Sequence, residues 1–147
     1  MIAVIQRVTQ ASVSVEELGH KEIIKKGLCV FLGVEEGDKR NDAGWIAKKI
    51  EKLRIFSDCE GKMNKSVQDI TGEILLVSQF TLAGDCSQGN RPSFIKAAKP
   101  EIAKPLVEEV GNLLELAGIQ VKQGIFGAMM RVEIDNDGPV TIILKQD

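Results

Sequence analysis

The 147-residue sequence has a single histidine, no tyrosine and only three cysteines, and these scarcities exclude several kinds of chemistry. Cys29, Cys59 and Cys86 contain no C-x-x-C pair, so a cysteine–histidine zinc site has too few ligands. His20, the one histidine available for a catalytic relay, lies among Glu, Gly and Lys residues that predict a solvated turn. We therefore expect neither a metal nor a cofactor, and we expect the cysteines to be reduced and buried.

Long apolar runs and an excess of positive charge are also missing. No run reaches the ~18–20 apolar residues of a transmembrane helix, and the first residues are too few for a signal peptide. The formal net charge of −2 argues against a domain that binds nucleic acid through bulk positive charge, although local contacts with RNA stay open. We expect a single cytoplasmic domain over residues 1–147, without membrane contact.

The hydrophobic pattern predicts short strands and two amphipathic helices. Strands are predicted at 2–8, 12–15, 28–34, 74–82, 119–122, 129–134 and 140–144. One helix begins near Asp42 with Asp38 or Asn41 as its cap, and the other begins near Lys104, because Pro105 is not expected deep inside a helix. This order predicts an α+β domain with a largely antiparallel sheet, curled into a barrel-like core, and two packed helices.

Residues 78–82, SQFTL, form a polar end to an otherwise apolar strand just before a glycine-rich loop. Strand alternation predicts Ser78, Phe80 and Leu82 on one face, with Gln79 and Thr81 on the other. Such an end is a common place for a site. The alternative is that the two hydroxyl groups only satisfy backbone groups at the strand end.

Residues 136–141, NDGPVT, combine a turn signal with a proline that the turn does not explain. The Asp-Gly pair predicts a hairpin between two strands, but Pro139 removes a backbone donor where the second strand begins. A cis Gly138–Pro139 bond is the other interpretation, and it would hold two carbonyl groups rigidly as a gate for a small ligand. Farther upstream, residues 124–130, GIFGAMM, predict either core packing or the wall of an apolar pocket.

Taken together, these segments resemble one family. SQFTL and NDGPVT are similar to the two signature motifs of D-aminoacyl-tRNA deacylase, and the similarity extends to residues 3–8, 52–56, 61–64, 91–94 and 126–130. The resemblance implies a homodimer of barrel-like subunits with its active site at the subunit interface. It also implies the reaction, which is hydrolysis of the ester that joins a D-amino acid to the 3′ end of tRNA. The resemblance implies that glycine wrongly attached to alanine tRNA is removed in the same way.

The resemblance also implies roles for individual residues. Gly138 and Pro139, joined by a cis bond, would reach into the partner's pocket and exclude the side chain of an L-amino acid, and Arg7 would hold their orientation. The 2′-hydroxyl of the terminal ribose would handle the proton. The residues implied to contact the ester, the terminal adenosine or the surrounding pocket are Ser78, Gln79, Phe80, Thr81, Phe126, Gly127, Ala128, Met130, Asn136 and Thr141.

Several alternatives stay open at the level of sequence. Thr81 could act as a covalent nucleophile, although no base is identified beside it. The scaffold could hydrolyse other mischarged tRNAs through a relaxed pocket, or bind RNA ends without catalysis. The loop at 83–90 is less basic than is usual in the family. Alternative phosphate contacts, each equally explained as a solvated surface charge, are Lys48, Lys49, Lys52, Lys62, Lys65 and Arg91.

Overall fold

A long first strand organises the sheet. The computed structural model describes residues 1–146, in which β1 (Ile2–Val15) runs without interruption. Antiparallel to β1 lie β2 (His20–Ile24) along its second half and β3 (Gly27–Gly33) along its first half. The last strand, β8 (Arg131–Lys145), pairs antiparallel with β1 over almost its whole length.

Two parallel strands extend the sheet on the other side of β3. β6 (Glu73–Ser78) pairs with β3, and β7 (Gln120–Gln123) pairs with β6. The ammonium group of Lys122 on β7 donates to the carbonyl of Ile23 on β2 at 2.8 Å, so the two ends of the sheet approach each other. A small separate hairpin is formed by β4 (Phe56–Ser57) and β5 (Met63–Lys65).

Two helices cover one face of this sheet. α1 (Arg40–Lys52) and α2 (Pro100–Leu116) pack on each other and bury apolar residues such as Ile46, Ile50 and Val110 against β3 and β6. The opposite face encloses a second apolar cluster that includes Cys29. The prediction of an α+β domain with a barrel-like, largely antiparallel sheet and two helices is confirmed. No helix within residues 1–146 is long and apolar enough to cross a membrane.

Both helix starts differ from their predicted positions. The residue before α1 is Lys39, whose N–H donates to the Asp42 carboxylate at 2.7 Å, whereas Asp38 accepts from the Met1 amine. Helix α2 begins at Pro100, so Pro105 lies inside it, contrary to prediction. The carbonyl left without a partner by Pro105 is that of Glu101, an exposed residue where water can solvate it.

Two predictions about rare residues also need correction. His20 begins β2 instead of occupying a solvated turn, is half-buried, and has Nε2 3.1 Å from the carbonyl oxygen of Gln123. Only Cys29 is buried, and burial raises the pKa of its thiol to about 12, whereas Cys59 and Cys86 are exposed. The two exposed cysteines lie in loops, where hydrophobic burial does not govern their placement.

Candidate active site

An apolar cavity of about 660 Å³ opens where β3 and β6 end and α2 begins. Segments far apart in the sequence meet in its wall, with Leu32 from β3, Ala103 and Val107 from α2, and Val132 from β8. Seven of the residues predicted to form the site also line it: Ser78, Gln79, Phe80, Phe126, Gly127, Ala128 and Met130. The GIFGAMM segment therefore contributes to the wall of a pocket.

The SQFTL segment reaches this cavity as a turn rather than as a continuing strand. β6 ends at Ser78, and a 3-10 helix follows at Phe80–Ala83, so the predicted strand to residue 82 was too long. The Gln79 N–H donates to the Leu32 carbonyl at 2.8 Å, which ends the parallel pairing with β3. A side chain at Gly33 would lie 2.9 Å from the Gln79 carbonyl oxygen, so a glycine there permits the turn to pack this closely.

Two phenylalanines stand at the mouth of the cavity. Phe80 and Phe94 pack edge to face with ring centroids 5.1 Å apart, and 57% and 37% of their surfaces stay exposed. Sequence reasoning gave no pocket role to Phe94, since its partner lies fourteen positions away in the chain and only the fold brings the rings together. The pair leaves aromatic surface available to a planar ligand.

The loop that carries Phe94 is ordered by polar contacts. Asp85 and Ser93 exchange backbone hydrogen bonds of 2.8 and 2.9 Å. The Asp85 carboxylate accepts from Ser87, and the Lys96 ammonium lies 3.1 Å from it. Hydrogen bonds from Ser87, followed by those from Lys96, hold the pKa of Asp85 well below its usual range. The loop is thus pinned at its base, next to the aromatic pair.

Thr81 differs from its neighbours in the motif. It is exposed, does not line the cavity, and its hydroxyl accepts a hydrogen bond from the Gln79 side-chain amide.

Lys99 is the one charged residue in the cavity wall formed by residues 1–146. Nowhere in that same range do three His, Cys, Asp or Glu side chains cluster closely enough to hold a metal ion. The wall therefore offers shape and apolar surface more than acid–base groups.

The NDGPVT segment lies outside the cavity, in a bulge of β8. Gln6 pairs with Thr141 and Val8 pairs with Asn136, so the single residue Arg7 lies opposite the four residues 137–140. We call these four residues the Gly138 bulge. The predicted hairpin was wrong, since β8 continues through the segment, and the Gly138–Pro139 peptide is cis with both residues exposed. Pairing with β1 on both sides of the bulge overrides the local turn signal.

Polar side chains hold the Gly138 bulge in place. Arg7 is 13% exposed and donates to the carbonyls of Asp137 at 3.1 Å and Ile55 at 2.8 Å. The Asn136 side chain accepts from the Val140 N–H at 3.2 Å and donates to the Thr141 hydroxyl at 3.1 Å. The residues on both sides of the Gly138–Pro139 bond are thus held by side-chain hydrogen bonds.

Gly138 itself has a conformation that other residues rarely adopt. Its φ is +122°, and a Cβ there would lie 2.9 Å from both the Arg7 guanidinium and a Val140 methyl group. The sequence-predicted site residues therefore form two groups in this chain, one around the apolar cavity and one around the Gly138 bulge.

A family model and curated relatives identify the family of this chain. The family model for D-Tyr-tRNA(Tyr) deacylase matches residues 4–145. A D-aminoacyl-tRNA deacylase of Thermotoga petrophila is 53% identical over 146 residues, covering 98% of this chain and 96% of that one. A solved structure named c-Myc DNA Unwinding Element Binding Protein is 42% identical, with a TM-score of 0.90 over 100% of this chain and 99% of its own. A probable eukaryotic D-amino acid tRNA deacylase shares the fold, with a TM-score of 0.82 over 97% of each chain, at 15% identity.

Proposed function

This chain belongs to the D-Tyr-tRNA(Tyr) deacylase family and is a hydrolase of D-aminoacyl-tRNA, and on that premise we propose that the apolar cavity is where the ester is cleaved. The observation that carries this proposal is the meeting of residues 78–80 with residues 126–130 around one cavity. A volume of about 660 Å³ falls within the range of small-molecule sites and suits an aminoacyl group with part of an adenosine.

The aromatic pair gives the terminal adenosine a place to bind. Stacking on aromatic side chains holds bases without reading their sequence, which fits an enzyme that acts on the shared 3′ end of many tRNAs. Phe80 and Phe94 present exposed ring surface at the mouth, and Gln79 and Ser78 line the wall behind them. The adenine then stays at the rim and the ester lies deeper.

The substrate supplies its own proton acceptor in this mechanism. The cavity wall described for residues 1–146 contains no carboxylate or histidine, so we assign proton transfer to the 2′-hydroxyl of the terminal ribose. The protein contributes orientation and hydrogen bonds to the developing oxyanion. The backbone N–H group of Phe80, a residue of the cavity wall, starts the 3-10 helix and has no acceptor within it, which makes it the donor we favour.

The Gly138 bulge acts as the chiral gate, and it acts on a second copy of the chain. Gly138 and Pro139 are exposed and do not line the cavity of their own subunit, while Arg7 holds the carbonyl of the preceding residue, Asp137, and Asn136 accepts from the N–H of the following residue, Val140. In a homodimer the bulge of one subunit would enter the cavity of the other. Rejection there depends on the side chain of an L-amino acid, so glycine, which has none, would pass when mischarged on alanine tRNA.

The deciding experiment follows ester loss from D-tyrosyl-tRNA, L-tyrosyl-tRNA and glycyl-tRNA(Ala) under equal conditions. We expect rapid loss of the D and glycyl esters with the L ester spared. A D-tyrosyl-tRNA ending in 2′-deoxyadenosine should be resistant if the 2′-hydroxyl takes part. Equal loss of D and L esters would leave a hydrolase without a gate, and binding without turnover would leave an RNA-end-binding protein.

A mixing experiment tests whether the gate acts between subunits. Gly138→Ala damages the gate but leaves the cavity intact, whereas Ala103→Trp fills the cavity but leaves the gate intact. The two variants are co-expressed under different tags, and the mixed dimers are purified. In each mixed dimer the gate of the Ala103→Trp subunit faces the cavity of the Gly138→Ala subunit. If the gate acts between subunits, the purified mixed dimers should spare L esters that the Gly138→Ala dimer hydrolyses. Unchanged hydrolysis of L esters, or a monomer by light scattering, would contradict the interface site.

A further inference from the structure

Lys99 is the charged residue of the cavity wall, and nothing in the mechanism above uses it. Several other lysine ammonium groups are held by partners within the described residues. Those hydrogen-bonded or ion-paired in residues 1–146 are Lys52, Lys62, Lys96, Lys122 and Lys145. Lys99 is not among them, so its ammonium is available to a ligand at the mouth of the cavity.

The backbone on both sides of Lys99 is fixed. Its carbonyl accepts hydrogen bonds of 2.9 Å from the N–H groups of Ile102 and Ala103, which start α2. On the other side, the Ala98 N–H donates to the carbonyl of Val34 at 3.0 Å. The exposed side chain therefore extends from a rigid base, which limits the ammonium to the region around the cavity mouth.

The proposed substrate brings two charges to this region, and they respond to a lysine in opposite ways. The α-ammonium of the aminoacyl group would be repelled by Lys99, whereas the phosphodiester on the 5′ side of the terminal adenosine would be attracted. Lysine is a common phosphate ligand because its compact charge donates charge-assisted hydrogen bonds. With the adenine at the aromatic pair, that phosphodiester is the nearest anion in the substrate.

We propose that Lys99 binds the phosphodiester that precedes the terminal adenosine, so that the cavity recognises a nucleotide ester rather than a simple amino acid ester. This inference rests on the proposed function and adds to it a specificity determinant that the sequence motifs do not contain. The same contact would orient the RNA end, because a phosphate held by Lys99 and a base held by Phe80 and Phe94 define a direction of entry.

The test uses two small esters that differ by one phosphate: adenosine carrying D-tyrosine on its 3′-oxygen, and the same compound with a 5′-phosphate. Single-turnover hydrolysis is measured with enzyme in excess. We expect the wild-type protein to favour the phosphorylated ester about tenfold, as for one charge-assisted hydrogen bond. Lys99→Gln should abolish this preference by slowing only the phosphorylated ester, while Lys99→Arg should retain most of it.

Lys21→Gln is the matched control, because Lys21 is an exposed lysine of β2 that does not line the cavity. A second readout is the salt dependence of kcat/KM on D-tyrosyl-tRNA, where loss of one phosphate contact should reduce the logarithmic slope by about 0.7. Lys21→Gln should behave as wild type in the ester comparison, which separates a local contact from a change in net charge.

Three other results would contradict the assignment of Lys99 to phosphate, and a fourth would remove the proposed function as well. Equal wild-type rates on the two esters, or a Lys99→Gln variant that slows both esters alike, would overturn the assignment of Lys99 to phosphate. A Lys99→Gln variant that cleaves D-tyrosyl-tRNA at the wild-type rate and salt slope would overturn it while the proposed function stands. Wild-type protein that cleaves neither ester nor D-tyrosyl-tRNA would remove the proposed function and this inference with it.

Discussion

The apolar cavity and the Gly138 bulge differ in the forces that fix their shape. The cavity is lined mainly by apolar side chains, such as Leu32, Val107 and Val132, and packing sets its form. The bulge is exposed and owes its form to hydrogen bonds with two polar side chains, Arg7 and Asn136. The cavity can enclose a ligand but has few polar or charged groups in its wall. The Gly138 bulge is held rigidly but does not enclose a ligand within its own subunit.

This contrast explains why a single subunit looks incomplete as a selective enzyme. An apolar cavity discriminates poorly between two enantiomers, since both bury the same surface. A rigid pair of carbonyls can discriminate, because a misplaced side chain would clash with it or leave its polar atoms unpaired. The proposed dimer brings the two regions together. Variants that weaken one region and spare the other therefore test whether the two regions act separately.

The largest effect is expected at Arg7. Arg7→Met keeps much of the aliphatic stem but leaves the carbonyls of Asp137 and Ile55 without their donor. Hydrogen bonds to a charged group contribute about 1.5–3 kcal/mol each, so we expect the free energy of unfolding to fall by about 3 kcal/mol. Urea denaturation measures this change, and hydrolysis of L-tyrosyl-tRNA reports the loss of the gate.

Arg54→Met is the control for this variant. Arg54 is exposed and donates to the Asn64 side chain at 3.2 Å, a contact worth about 0.5 kcal/mol or less. If Arg7→Met is as stable as Arg54→Met and still spares the L ester, polar contacts do not fix the bulge and the contrast with the cavity fails.

The next largest effect is expected at Gly138. Gly138→Ala places a Cβ 2.9 Å from the Arg7 guanidinium at a φ of +122°. We expect a loss of about 2 kcal/mol in unfolding free energy, as for one strained non-glycine residue, together with hydrolysis of the L ester. Gly19→Ala, also at positive φ but with no atom within 4 Å of the new Cβ, should cost only about 1 kcal/mol.

Equal destabilisation by the two alanines would mean that backbone conformation alone matters at Gly138. In that case the close approach of Arg7 would contribute nothing to the gate. The chiral preference of the Gly138→Ala variant separates the remaining possibilities, since an intact preference would remove Gly138 from the gate even if the protein were less stable.

The two regions also differ in how far the sequence could predict them. Hydrophobic periodicity located both helices and the buried strands, and the motif resemblance named seven residues of the cavity wall. Lys99 and Phe94 were not assigned to it, because no local pattern marks a residue that tertiary packing brings to a cavity. The end of β6 was misplaced for a similar reason, since the close approach to Gly33 depends on a neighbouring strand.

The Gly138 bulge shows the opposite failure. There the local signal was strong, and an Asn-Asp-Gly-Pro run favours a hairpin turn. The long ladder between β1 and β8 outweighs that preference, and four residues are accommodated opposite Arg7 without reversing the chain. The local turn signal predicted a hairpin that the ladder excludes, whereas the cis Gly138–Pro139 bond that the resemblance implied is present.

A smaller effect, on activity alone, is expected at the mouth of the cavity. Phe80→Ala removes a ring that is 57% exposed, so the unfolding free energy should change little. Loss of base stacking, worth about 1–3 kcal/mol, should reduce kcat/KM on D-tyrosyl-tRNA by about tenfold or more. Leu116→Ala, which truncates a side chain that is 83% exposed on α2, should leave activity unchanged.

Unchanged activity of Phe80→Ala would show that the adenine does not bind at the aromatic pair. The substrate would then be held by the apolar wall of the cavity alone. A fall in activity with the chiral preference intact would support separate roles for the two regions. It would show that the cavity region governs binding of the RNA end while the bulge governs selection of the amino acid.

The smallest effect is expected at Thr81, where the two mechanisms considered for this protein diverge most. The residue is exposed, lies outside the cavity wall, and its hydroxyl only accepts a bond from the Gln79 amide. Thr81→Ala should therefore lower D-ester hydrolysis about twofold, the equivalent of the ~0.5 kcal/mol typical of a surface substitution. The backbone N–H of Phe80, the group we assign to catalysis, is retained in the variant. Thr9→Ala, which removes another exposed threonine hydroxyl from β1, is the matched control. Activity at background in Thr81→Ala, restored by Thr81→Ser, would instead identify the hydroxyl as a covalent nucleophile and place side-chain chemistry in the region that we describe as acting by shape.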